Sequence, residues 1–119
     1  MNLDLKISKK YRNNLKYKQP LRTGLLSDDG IRYRFEFDNY GVSVIKSEFT
    51  YGGEYDLWEV AIVDIGKNNI IYNKELSRYD VLGYLTDEDV NKFLYCVKNC
   101  ILDKPFEEIK DTINIESEE

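Results

Sequence analysis

The sequence predicts one α+β domain: an antiparallel sheet of about four strands in two hairpins, packed by one main C-terminal helix and a short second helix. Three observations predict it. Two segments alternate apolar and polar residues on either side of a tight turn. A third apolar run lies between glycine-bearing turns. One late segment carries a helix start signal followed by an apolar stripe.

Ile31, Tyr33, Phe35 and Phe37 alternate with Arg32, Arg34, Glu36 and Asp38, the period-two pattern of a strand with one buried face. Asp38-Asn39-Tyr40-Gly41 is a tight connection, because Asn and Gly tolerate positive φ. Tyr40, Val42 and Val44 resume the alternation and close the first hairpin. Thr50 to Tyr55 is a loop whose backbone Gly52 and Gly53 free. In the run from Leu57 to Asp64, Trp58, Val60 and Ile62 fall on one face, and Leu57, Ala61 and Val63 on the other. This strand is therefore expected to be covered on both sides and central. Gly66-Lys67-Asn68-Asn69 turns into Ile70-Ile71-Tyr72, which makes the second hairpin. Asn73 to Tyr84 shows no period and reads as irregular.

The sharpest local signal is Leu85 to Val90. Thr86 suits a helix N-cap. Asp89 stands at the capping-box position, and Leu85 and Val90 occupy the two staple positions. Asp87, Glu88 and Asp89 suit the positive end of the helix dipole. Val90, Phe93, Leu94, Val97 and Ile101 then form a stripe that packs on the sheet. Asp103-Lys104-Pro105 starts the second helix, with Phe106, Ile109 and Ile113 on its apolar side.

Charge divides the chain into three parts: a basic N-terminal arm over 1–26, the domain over 27–115, and an acidic, frayed tail over 116–119. The arm carries seven Lys or Arg, among them Lys9, Lys10, Arg12, Lys16 and Lys18, against the one acid Asp4. The rest carries ten basic and twenty-one acidic residues, and the whole chain has a net charge of −5. Leu3, Leu5 and Ile7 alternate as a short strand would. Beyond them apolar anchors are few and Pro20 stops any helix, so the arm is expected to be partly ordered at best. Ser27-Asp28-Asp29-Gly30 reads as a turn. A basic arm on an acidic body points to charged partners.

The chain contains no histidine. That removes the commonest general base, the serine and cysteine triads and most transition-metal sites. The chain is read as non-enzymatic, without cofactor or metal. Its carboxylate pairs, such as Glu54 with Asp56 and Asp87 with Asp89, lack the apolar flanks that raise a catalytic pKa, and read as a solvated face. Cys96 and Cys100, one helical turn apart, read as free thiols beside the apolar stripe. Two cysteines cannot close a zinc site. Gly52-Gly53 lacks the Lys and helix start of a phosphate loop. No apolar run approaches about eighteen residues and no secretory signal opens the chain, so it is expected in the cytoplasm of a bacterial host, away from membranes.

Asn39-Tyr40-Gly41-Val42-Ser43-Val44, Tyr51-Gly52-Gly53, Leu57-Trp58-Glu59-Val60-Ala61 and the stretch from Val81 to Val90 stand in that order. Together they resemble a group of short uncharacterised proteins from phages and prophages of low-GC Gram-positive bacteria. The Gly83-Tyr84-Leu85-Thr86-Asp87-Glu88 stretch is the most specific part, and the likeness spans roughly residues 33–100. It implies an α+β domain and assigns no activity to any residue. Small phage proteins of this kind often act by occupying a host protein, so an anti-CRISPR-type inhibitor follows by class analogy.

Three functions follow. The first is an inhibitor of a host protein or nucleoprotein complex that handles nucleic acid, in which an acidic, Tyr-rich surface fills a basic channel. Glu48, Tyr51, Glu54, Tyr55 and Asp56 are the expected contact patch. The second is a sponge for a signalling nucleotide, held by Arg32 and Arg34 with nearby tyrosines. The third is a self-assembling structural protein, in which the arm docks on a neighbour's acidic body. Direct nucleic-acid binding by the arm, where Tyr11 and Tyr17 interleave with the lysines, is opposed by the acidic body.

Overall fold

The computed structural model describes residues 1–21 and 30–114. The alternating segments form the expected hairpins. Gly30–Glu36 and Gly41–Lys46 pair antiparallel, as do Trp58–Asp64 and Asn69–Ile70. The last strand, expected over Ile70-Ile71-Tyr72, begins one residue earlier, inside the expected turn, and ends at Ile70. Two strands beyond the expected set, Leu15–Leu21 and Val81–Leu85, complete a sheet of six. In chain order the strands are β1 (Leu15–Leu21), β2 (Gly30–Glu36), β3 (Gly41–Lys46), β4 (Trp58–Asp64), β5 (Asn69–Ile70) and β6 (Val81–Leu85). They are arranged β1-β2-β3-β4-β5, and β6 also pairs with β4. One edge of β4 is held by β3. Along the other, β5 takes the Val63–Asp64 end and β6 the Trp58–Ala61 end.

The two additional strands lack the burial period that reveals a strand. In β1 the residues from Lys16 to Pro20 are all exposed, so its order comes from the ladder to β2 rather than from a buried face. Pro20 is tolerated there because β1 is an edge. In β6 the period is broken by Gly83 and by Tyr84, whose φ is 63°, and the register against β4 shifts between Trp58 and Val60.

The segment expected as a partly ordered arm is folded over residues 1–21. Leu5 and Tyr11 are buried in the core. Lys9–Asn14 forms a 3-10 turn, with Ser8 at its N-cap. Buried Asn91 holds this segment to the main helix: Ser8 N–H donates to its Oδ1 at 2.8 Å, and its Nδ2 donates to the Lys6 carbonyl at 2.8 Å. Leu5 N–H donates to the Tyr33 hydroxyl at 3.1 Å. Each of these bonds joins residues far apart in sequence, which no local pattern announces. The Ser27–Gly30 turn, but for Gly30, and the acidic tail over 116–119 lie outside the described residues.

Asp87–Lys98 forms the main helix, α1, and Phe106–Ile109 the short helix, α2. The capping box at Thr86 forms as the sequence predicts: Thr86 Oγ1 accepts from Asp89 N–H at 3.1 Å, and Asp89 Oδ2 accepts from Thr86 N–H at 3.2 Å. Val90, Phe93, Leu94 and Val97 of α1 join Tyr33, Phe35, Val42, Val44, Trp58, Val60 and Ile62 of the sheet in one core. Phe106 of α2 meets Phe93 edge-on at 5.6 Å. Pro105 stands at the N-cap of α2, just outside the helix. Ile101, expected on the buried stripe, is exposed, and Leu102 is buried in its stead. Cys100 at φ 57° turns the chain after α1 and shifts the pattern by one residue. Cys100 is itself exposed, so of the two cysteines only Cys96 is a core residue. Burial pushes the Cys96 thiol up to about 12, which leaves it unreactive at neutral pH. Among the described residues no helix is long and apolar enough to cross a membrane.

Candidate functional site

After β3 the chain makes a tight loop over residues 47–57. Ser47 and Thr50 pin its base: Ser47 N–H donates to Thr50 Oγ1 at 2.9 Å, and Gly53 N–H donates to the Thr50 carbonyl at 3.0 Å. Gly52 at φ 91° and Asp56 at φ 64° supply the left-handed corners. The loop then closes on β6, where Tyr84 N–H donates to the Tyr51 carbonyl at 3.1 Å. Gly83 permits that approach, because a Cβ there would stand 2.7 Å from the same carbonyl oxygen.

The result is a set of aromatic rings left in water. Phe49, Tyr51, Tyr55 and Tyr84 are 64%, 62%, 67% and 56% exposed. The Tyr55 and Tyr84 rings lie 6.3 Å apart. Tyr84 reaches this position from a left-handed backbone that L-residues adopt at a cost, and such strain collects at functional sites. Glu48 and Glu54 are exposed on the same loop and, with Met1, Gly53 and Asp56, line a small hollow.

The predicted contact residues Glu48, Tyr51, Glu54 and Tyr55 thus share one exposed loop. Asp56 is there too, but its carboxylate is engaged within the fold. It accepts from Asn2 N–H at 2.7 Å and from Lys46 Nζ at 3.0 Å, and these two contacts, Asn2 first, hold its pKa below the ordinary carboxylate range. Lys46 is buried, donates also to the Asn2 carbonyl at 2.7 Å, and sits 4.1 Å from the Trp58 ring centroid. Phe49 and Tyr84 join the patch without having been singled out from sequence. The Gly83-Tyr84 pair within the resembling stretch was the available signal. The basic residues are distributed differently from a flexible arm: Lys9, Lys10 and Arg12 lie on the 3-10 turn, and Lys16 and Lys18 on the edge strand β1.

The helix-free face of the sheet carries a second feature, a concavity of about 570 Å³. Arg32 and Arg34 of β2 and Glu59 of β4 are its charged walls, and Ile45, Ala61 and Val63 are part of its floor. Arg34 is 5% exposed and is held by Asn68 Oδ1 and, at 3.4 Å, by Glu36. Its Nε lies over Gly41, where a Cβ would stand 3.0 Å away. Glu59 accepts from Tyr51 N–H at 2.9 Å, so it ties this face to the aromatic loop. Burial pushes the Glu59 pKa up, Asp80 adds to the rise, and the Tyr51 N–H opposes it. A raised carboxylate pKa means that ionisation is harder in the folded chain than in the unfolded one. The penalty is absent below the unfolded pKa and is fully present above the folded pKa. Glu59→Gln, which keeps an acceptor for Tyr51, is therefore expected to gain stability relative to wild type as pH rises from the ordinary glutamate range to neutrality. Urea unfolding of both proteins at the two pH values checks this; a pH-independent difference between them would contradict it.

Among the described residues no three His, Cys, Asp or Glu side chains come together as a metal site would need. No family model matches the chain, and no curated protein and no solved structure matches it either.

Proposed function

We propose that the chain works by binding another protein, with the loop over 47–57 and Tyr84 as its contact surface. The target class is a host complex with a basic, nucleic-acid-handling surface, which the chain occludes in the manner of an anti-CRISPR-type inhibitor. The observation that carries this reading is the exposure of four aromatic rings on one loop and the strand beside it, with two unpaired acids among them. Tyr and Trp are the residue types that dominate binding energy at interfaces, since they bring large area at small entropic cost. Glu48 and Glu54 add attraction for a basic surface, which salt weakens.

The test is affinity capture from a Gram-positive host lysate with wild type, Tyr51→Ala/Tyr55→Ala and Glu48→Lys/Glu54→Lys. Wild type is expected to retain one basic complex that high salt releases. Each aromatic truncation at a central position is expected to cost about 2 kcal/mol or more, roughly thirtyfold in affinity. Equal capture by all three proteins would reject the patch. The self-assembling alternative has less support. The lysines that would reach a neighbour lie on folded elements, and Lys16, Lys18 and Pro20 on an edge strand oppose strand addition.

A further inference from the structure

We infer that the concavity on the helix-free face is a separate binding site for a small, flat, singly charged organic anion, with the Arg32 guanidinium as its anchor. The inference is independent of the protein-binding patch. It rests on three observations. The first is unpartnered charge. The Nε atoms of Arg32 and Arg34 are both buried and without a hydrogen-bond partner. The Arg32 side chain makes no hydrogen bond or ion pair with any other described residue. A buried donor without an acceptor is costly, and native structures rarely leave one without a reason. Arg34 is nine-tenths buried and in place, so the site is built rather than formed by surface side chains.

The second observation is shape. A volume of about 570 Å³ falls within the range of about 300–1,000 Å³ that holds small organic ligands. The floor of Ile45, Ala61, Val63 and Val81 is apolar, and Tyr17 and Tyr72 stand among the walls. An apolar floor between tyrosines suits a flat ring, not a bare inorganic ion.

The third is charge balance. Glu36 lies against Arg34, and Glu59 lines the same concavity. Arg34 is thus paired, the Arg32 guanidinium has no ion-pair partner among the described residues, and the Glu59 carboxylate, which balances its charge across the site, repels further negative charge. A monoanion is favoured over a polyanion by the groups that line the site, an attractive and a repulsive element acting together. A phosphodiester and a carboxylate meet this description equally, since both present two oxygens to a guanidinium fork.

The experiment follows backbone amide shifts in the full chain, labelled with 15N, at roughly 5 mM of each probe, enough to report millimolar affinity. The probes are cyclic AMP as a phosphodiester monoanion, indole-3-acetate as a flat carboxylate, adenosine as an uncharged ring, and ATP as a polyanion. Shifts confined to Arg32, Ser43, Ala61, Asn69 and their neighbours with either monoanion, absent with adenosine and weaker with ATP, are expected. Which monoanion binds distinguishes a phosphodiester from a carboxylate ligand. Arg32→Gln is expected to weaken that binding at least tenfold. It should leave the thermal midpoint near the wild-type value, because the Arg32 side chain holds no other described residue. Silence from both monoanions, shifts that persist in Arg32→Gln, or ATP binding as tightly as cyclic AMP would overturn the assignment.

Discussion

Trp58→Ala is expected to cost about 3–5 kcal/mol, a large part of the roughly 5–15 kcal/mol that holds a domain of this size together. Trp58 is fully buried in β4. Tyr33 meets its ring edge-on at 5.7 Å, and the Lys46 ammonium lies over it at 4.1 Å. Its indole N–H donates to Asp87 Oδ1 at 2.6 Å, and Asp87 opens α1. One side chain therefore fills the core, shields a buried cation and ties the sheet to the helix start. Its removal leaves a cavity and deprives Lys46 of the ring it packs against. Trp58→Phe keeps much of the volume and loses the hydrogen bond to a carboxylate, so about 1.5–3 kcal/mol is expected there. Trp58 is the single tryptophan, so unfolding in urea must be followed by far-UV circular dichroism. A loss below about 1 kcal/mol for the alanine variant would mean that the core relaxes around the hole, contrary to this account.

Gly53→Ala is expected to be the most damaging exposed-loop substitution. Gly53 is buried at the base of the 47–57 loop. A Cβ there would overlap the Ser47 carbonyl oxygen and stand 2.7 Å from Thr50 Oγ1, the atom that pins the loop. A backbone oxygen cannot swing aside as a side chain does, so the turn itself must move. Overpacking of this kind costs about 1–3 kcal/mol and more where backbone is the obstacle. For a domain of about this size each kcal/mol is roughly 4 °C or more in thermal midpoint. The same shift would misplace Tyr51 and Tyr55, so partner binding is expected to fall even where the core survives. Gly66→Ala is the control: its Cβ would come no closer than 3.4 Å to Asp64 Oδ1, an ordinary contact. Thermal melts and amide exchange over residues 47–57 of both variants decide the matter. Equal behaviour of the two would show that the loop is not held as described.

Much of the fold was legible where burial has a period. The alternation from Ile31 to Phe37 and the stripe from Val90 to Val97 match the structure, because each buries one regular face. The run from Trp58 to Val63 is central as expected, but only its Trp58, Val60 and Ile62 face joins the core, while Ala61 and Val63 line the concavity. The Thr86 capping box was legible for a similar reason, since its chemistry is complete within four residues. Strands β1 and β6 were not legible. One buries almost nothing, and the other is broken by Gly83 and a left-handed Tyr84. Leu5 and Tyr11 were hidden because their partners, Tyr33 for the first and Phe37 and Lys98 for the second, are far away in the chain, a distance over which sequence carries no period.

The candidate sites divide in the same way. Composition determined that no histidine is present to act as a general base, wherever the other acid–base groups fall. It also supplied ten tyrosines, a residue type with an apolar ring and a polar tip that suits either a strand or an interface. Which tyrosines stay in water, and beside which acids, was decided by the tertiary structure. Tyr33 is buried and Tyr55 is exposed, although both follow charged residues, because one packs on Trp58 under the Leu3–Leu5 segment and the other stands on the 47–57 loop. Asp56 and Glu54 are two residues apart, yet the first is engaged by Lys46 and the second is exposed. Arg32 and Arg34 share a face by strand period alone, which the sequence determines. That no helix among the described residues covers this face, and so no described residue offers the Arg32 guanidinium an acceptor, depends on where α1 packs, and only the assembled sheet decides that.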